Sequence, residues 1–173
     1  MALSLEDVVG DVRGFLSAVF TGLNEAALQP SADDLFCDHL CYRVETEEAY
    51  QQKKNQLSEL ATLLHEAIIG GRLVATYKLK QPVAFGDRRI PCIELPAPKP
   101  GLEHIELVIK ESFESFMARN AHLSFDTKAM AKGINPDIQL SIPPGYSVKF
   151  HHMPLEEVVE MEKAMDAAAS SKS

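Results

Sequence analysis

Two short runs, DHLCYRVE from Asp38 to Glu45 and EHIELVIK from Glu103 to Lys110, share a pattern of acid, histidine and branched aliphatic residue. Laying one over the other sets His39 on His104, an offset of 65 residues. The segments after the two runs are also alike, so the chain reads as one supersecondary unit written twice. In the first unit the strand 38–45 leads to a long helix capped by Thr46, with Leu57, Leu60, Ala61 and Leu64 as its apolar stripe and Gly70-Gly71 as its end. RLVATYKL, PVAF and IPCIELP then predict three strands, with a hairpin at Gly86-Asp87. The order is βαβββ.

APKPG, residues 97–101, is a proline-rich joint. Beyond it EHIELVIK predicts a strand, ESFESFMARNA a helix with Phe113, Phe116 and Met117 on one side, and LSFDT, DIQLSI and YSVKFHHM three more strands with PPG as a turn. That is βαβββ again. Laying PCIELP over SVKFHH sets Glu94 against Lys149, an offset of 55, so the second unit is shorter by about one loop.

The flanks are helical. From Leu5 to Leu23 apolar residues recur at helical spacing behind the N-cap Ser4, while Gly10, Gly14 and Gly22 each cost roughly 1 kcal/mol relative to alanine. Such a helix needs a body to dock on, with a break near Gly22; QPSADD then connects it to the first unit through a short turn or second helix. At the other end PLEEVVEMEKAMDAA begins with Pro154 and offers Leu155, Val158, Val159 and Met165 as an apolar face, read as a cap on the sheet or as a partner-binding helix. The terminal AAASSKS reads as a frayed tail. The expected fold is therefore α+β: two βαβββ units forming a cupped mixed sheet, with an N-terminal helical segment (1–34), a first unit (35–100) and a second unit plus C-terminal helix (101–173) in one compact domain.

Composition narrows the setting. A net charge of −8 and a pI near 5.2 argue against nucleic acid, whose binding needs a basic surface to displace counterions. The N-terminus lacks a basic, apolar leader, and no stretch approaches a membrane span. Cys37, Cys41 and Cys92 form no CxxC pair, so a reducing cytoplasm is the simplest home. With both units in one chain a homodimer is not needed to complete the fold, and monomer and homodimer both stand.

The paired units, with a histidine on the first strand of each and an acid on the last strand of the first, resemble the vicinal oxygen chelate superfamily of glyoxalases, extradiol dioxygenases and bleomycin-resistance proteins. More narrowly, DHLCYRVET, IELPAPKPG, LEHIELV and VKFHHMPLEEVV are similar to the YecM-like family within it. The resemblance implies two units closing into a cup that holds a divalent metal. A four-ligand pattern calls for an acid on the last strand of the second unit, where Lys149 stands, so a three-ligand set of His39, Glu94 and His104 matches better. His151, two residues on, is the fallback fourth ligand, and His152 is expected to face away.

Strand parity supports convergence. His39, Cys41 and Arg43 share a face, as do Leu102, His104, Glu106 and Val108, and as do Cys92 and Glu94, while Leu40, Ile93 and Ile105 lie opposite. Two imidazoles and a carboxylate form a facial set that leaves positions open on Fe(II), Mn(II), Ni(II) or Zn(II). A strand histidine taken singly is more often a hydrogen-bonded core residue than a ligand, and that reading stands beside ligation. Glu106 is a candidate general base, or a wall residue paired with Arg43. Arg43 and Lys149 are candidate binders of a small anionic ligand, with Arg88 and Arg89 in a solvated turn; Lys149 alternatively neutralises Glu94. Cys41 and Cys92 are read as small hydrophobes, and His65 and His122 as surface residues. The functional expectation is a metal-dependent isomerase, lyase or dioxygenase acting on a small oxygen-rich metabolite. The rival readings are a non-catalytic small-molecule binding module and a structural protein with a degenerate site.

Overall fold

The computed structural model describes residues 3–69, 71–98 and 101–170. Strand β1 (Phe36–Arg43) occupies the middle of the sheet, parallel to β4 (Arg88–Pro96) on one side and antiparallel to β5 (Gly101–Val108) on the other. Beyond β4 come β3 (Arg72–Phe85) and β2 (Ala61–Ile69); beyond β5 come β7 (Tyr146–His151) and β6 (Ile138–Ile142). The seven-stranded mixed sheet runs β2-β3-β4-β1-β5-β7-β6. In each half the first and last strands pair in parallel, which requires a crossover. Helix α3 (Glu47–Leu60) lies on the first crossover and α4 (Phe113–Arg119) on the second. Helices α1 (Leu5–Val9) and α2 (Val12–Glu25) precede the sheet and α5 (Leu155–Ser170) follows it. The α+β class with helical flanks is as the sequence indicates.

Parity sorts the two faces. Leu40, Ile93, Ile105, Val148 and Phe150 are fully buried in one cluster with Leu16, Val19 and Leu23 of α2, Tyr50 and Leu57 of α3, and Phe116 of α4. On the other face Cys92, Leu155 and Val159 form a small separate cluster, so α5 covers only part of that side. Met165, expected on its buried stripe, is instead 54% exposed. Among the described residues no helix is long and apolar enough to cross a membrane.

Four boundaries differ from the sequence reading. The long helix stops at Leu60, and ATLLHEAII is β2, paired with β3 from Ala61–Leu79 to Ile69–Arg72. The leucine stripe continues in helical period, but nine residues of ladder outweigh local propensity. RLVATYKL and PVAF are one strand, β3, so the first half keeps its βαβββ order. LSFDT contributes a single bridge, Asp126 to Gln139, which leaves the second half as βαββ. The first helix breaks at Gly10, with φ +88°, where Asp11 caps α2 through the Gly14 amide. Gly22, the expected break, is inside α2; a Cβ there would sit 2.5 Å from Ile142 Cγ2, so glycine permits close docking on β6. Residues 1–2, 70, 99–100 and 171–173, with part of the proline-rich joint and of the C-terminal tail, lie outside the described residues.

This packing is open to two tests. Gly22→Ala gains helix propensity of about 1 kcal/mol but forces α2 away from a β-branched neighbour. A lower melting temperature is expected, and an unchanged or raised one would refute the close-docking account. Glu66 accepts from Tyr50 Oη at 2.8 Å and from Lys54 Nζ. Burial pushes the Glu66 carboxyl up, but these donors hold it below its ordinary range. Its stabilisation is present above the unfolded glutamate's pKa and fades as pH falls through the depressed folded value. Glu66→Gln is therefore expected to cost about 1–2 kcal/mol at pH 7, with the gap to wild type closing in denaturant titrations below about pH 4.

Candidate metal centre

Register across the sheet builds the site. On the face toward α5, one row places Cys92, His39, Glu106 and Lys149 side by side on β4, β1, β5 and β7; the next row places Glu94, Cys41, His104 and Ser147. Alternation turns every one of these side chains to the same face. Donor atoms of His39, Glu94, His104 and Glu106 all lie within 4.8 Å of one another. His39 Nε2 is 3.6 Å from Glu94 Oε2 and 3.5 Å from Glu106 Oε1, and His104 Nε2 is 3.3 Å from the same Glu106 oxygen.

Both imidazole Nε2 atoms are buried without a hydrogen-bond partner. Orphaned buried polar atoms are rare and call for an explanation. Donors about 2.1 Å from a shared ion would stand roughly 3.0–3.5 Å apart in octahedral or tetrahedral geometry; the three separations above, 3.3, 3.5 and 3.6 Å, are close to that, and the four donors all lie within 4.8 Å. Two imidazoles and two carboxylates thus fit a divalent cation.

Electrostatics agree. Burial pushes the His104 pKa down, with the Lys149 ammonium adding to it, to about 3, so its lone pair is available. Burial opposes charge on His39 too, but Glu106, Asp38 and Glu94 hold its pKa well above the ordinary value. Glu106 is disfavoured as an anion by burial, yet Lys149 and His39 keep it ionised. Asp38 likewise overcomes burial through His39 and His151, and its pKa falls to about 2.

The residues expected from sequence are thus brought together, with additions. His39, Glu94 and His104 converge, and Arg43 and Lys149 line the same cavity of about 220 Å3. Glu106 stands among the donors themselves and takes its ion pair from Lys149 at 3.0 Å, so Lys149 neutralises Glu106 directly. His151 is outside the four: its Nε2 is 3.2 Å from Asp38 and its Nδ1 accepts from Asn135 Nδ2 at 2.8 Å. His152 faces away, against the Ile109 carbonyl and the Phe113 ring.

Cys41 and Cys92 are buried free thiols whose pKa burial pushes up, Cys92 to about 12, as suits packing. His65 is not a helix-surface residue: it sits on β2, lines the cavity and lies 3.6 Å from Asp166 of α5. Arg88 is no solvated turn residue, since it binds the Leu35 and Ala32 carbonyls and Asp33 and stacks 4.0 Å over Phe20.

The family model described as YecM protein matches residues 4–162, and the chain belongs to that family. It is 26% identical over 180 residues to protein YecM of Escherichia coli (strain K12), spanning 92% of this chain and 95% of that one. An uncharacterized protein of Haemophilus influenzae is 30% identical over 122 residues, 64% of each chain. A solved structure described as "Structural Genomics, Protein EC4020" superposes with a TM-score of 0.68 at 24% identity, covering 94% of this chain and 98% of that one, a likeness of fold.

The Lys149–Glu106 pair gives a test of the metal-free state. Lys149→Met strands a buried carboxylate, which costs about 3 kcal/mol when one partner of a buried pair is removed. A clear loss of stability is expected in chelator-treated protein. A variant as stable as wild type would show that Glu106 is compensated without Lys149.

Proposed function

We propose that this protein is a metal-dependent catalyst of the vicinal oxygen chelate type, acting on a small oxygen-rich metabolite. The observation that carries the proposal is the group of four donors within 4.8 Å whose two imidazole nitrogens are buried without a hydrogen-bond partner. In this reading His39, Glu94 and His104 hold the ion. Glu106 either completes the set or, left unligated, accepts a proton from substrate. A bound Fe(II), Mn(II), Ni(II) or Zn(II) supplies Lewis acidity toward paired substrate oxygens.

The surroundings favour a compact anionic ligand. About 220 Å3 is below the roughly 300–1,000 Å3 of pockets for drug-sized ligands. Arg43 is on the cavity face to meet a negative group, with Lys149 behind Glu106. Apolar Val74, Pro96, Leu155 and Val158 form part of the wall, which also carries Arg72, Lys132, Asp137 and Glu162.

The Lys149–Glu106 pair favours a second reading, a non-catalytic or purely structural site in which the ammonium takes the place of the cation. Elemental analysis separates the two. Protein purified without a metal-affinity tag is expected to carry near-stoichiometric metal, lost in both His39→Ala and His104→Ala. A wild type that stays metal-free and ignores added Fe(II), Mn(II), Ni(II) and Zn(II) would refute the catalytic reading.

A further inference from the structure

One buried acid lies beside the donors without being one of them. Asp38 is only 2% exposed and lies on β1 next to His39. In a regular strand it would point away from its neighbour, into the apolar core against α2, α3 and α4. The β1–β5 register prevents this: Cys37 pairs with Leu107 and His39 with Glu106, so two steps on β1 match one step on β5. Asp38 is the extra residue of a β-bulge, a device that re-aims side chains.

The bulge brings two hydrogen bonds and a nearby imidazole nitrogen to one carboxylate. Asp38 Oδ1 is 3.1 Å from His39 Nδ1. Oδ2 is 3.2 Å from His151 Nε2 and accepts from the Leu155 backbone N–H, in the first turn of α5, at 2.7 Å. An ionised carboxylate only accepts, so the hydrogen bond requires an N–H at His39 Nδ1 whatever the state of Nε2. The Nε2 that faces Glu94, His104 and Glu106 is then the ring atom left to bind an ion. His151 Nδ1 accepts from Asn135 and lies 3.4 Å from Glu106 Oε2, while its Nε2 faces Asp38.

We infer that Asp38 is the positioning residue of the metal centre: it orients His39 with Nε2 toward the donors and ties that ring to the start of α5, which roofs the cavity through Leu155, Val158 and Glu162. The inference rests on the proposed metal site for its consequence, though its geometry is independent of any ion. Carboxylate partners of ligating histidines fix ring orientation and raise ligand basicity, and their loss typically costs 10–100-fold in metal affinity.

Asp38→Asn is the sharpest variant because it keeps shape while turning one acceptor into an N–H2 that must face an N–H. Zinc affinity, read by competition with a chromogenic chelator, is expected to fall about 10–100-fold. Glu66→Gln, which weakens the fold away from the site, should leave that affinity unchanged. In 15N-labelled, metal-free protein, nitrogen-edited NMR of His39 should show a hydrogen-bonded Nδ1–H in wild type that is lost or displaced in Asp38→Asn.

A folded Asp38→Asn with wild-type zinc affinity and an unchanged His39 signal would overturn the inference, as would an equal affinity loss in Glu66→Gln. If wild type takes up no zinc, the metal-free spectra alone decide whether Asp38 orients His39, and the proposed function fails if Fe(II), Mn(II) and Ni(II) are ignored as well. If Asp38→Asn does not fold, the wild-type spectrum still decides: a His39 ring protonated at Nε2 only contradicts the assignment.

Discussion

The antiparallel seam between β1 and β5 is the constraint on which the rest depends. It sets His39 opposite Glu106 and Cys41 opposite His104, so the two histidine-bearing strands meet directly at the middle of the sheet. A shift of one residue in this register would turn one of the two imidazoles into the helix-packed core. Apolar Leu40, Ile105 and Leu107, fully buried on the opposite face, make such a slip costly. The polar arrangement on one side is held in register by the hydrophobic arrangement on the other.

That division explains how the fold tolerates so many buried charges. Helices α2, α3 and α4 all belong to the main apolar cluster, while α5 alone forms a small cluster on the other face with Cys92. Most of the area-proportional hydrophobic stabilisation therefore comes from the side away from the site. The cavity face holds Asp38, His39, His104, Glu106 and His151, every one at most 6% exposed. Burying ionised groups is favourable only when each has close partners of opposite charge or a donor. Here Glu106 has Lys149, and Asp38 has His39, His151 and an α5 amide.

How much of this is legible in the sequence depends on whether a feature is periodic. The duplicated acid-histidine pattern and strand parity are enough to bring His39, Glu94 and His104 to one face, because alternation is a local property. The β2 segment reads as helix because Leu57, Leu60, Ala61 and Leu64 satisfy a helical period, and only the distant partner β3 decides otherwise. Asp38 escapes sequence reasoning for a sharper reason. A bulge breaks the parity rule at the one position where it matters, and nothing in DHLCYRVE marks it. Parity places Glu106 on the right face but with a lesser role, since its approach to both histidines depends on inter-strand register.

Register also resolves the oddity of Lys149. Superposing the halves on their histidines, Cys92 corresponds to Ser147, Cys41 to Glu106 and Glu94 to Lys149, because His39 pairs with Cys92 and Cys41 with Glu94, as His104 pairs with Ser147 and Glu106 with Lys149. The first half thus carries its carboxylate on the last strand, with a neutral thiol beside it on the first. The second half carries its carboxylate on the first strand, with an ammonium beside it on the last. Each half contributes one imidazole and one carboxylate to the same group of donors, so a lysine where symmetry asks for an acid does not reduce the donor set. It relocates the acid by one strand and supplies the countercharge that the relocated acid needs. The two-fold pattern that the sequence shows as broken at Lys149 is, in donor chemistry, complete.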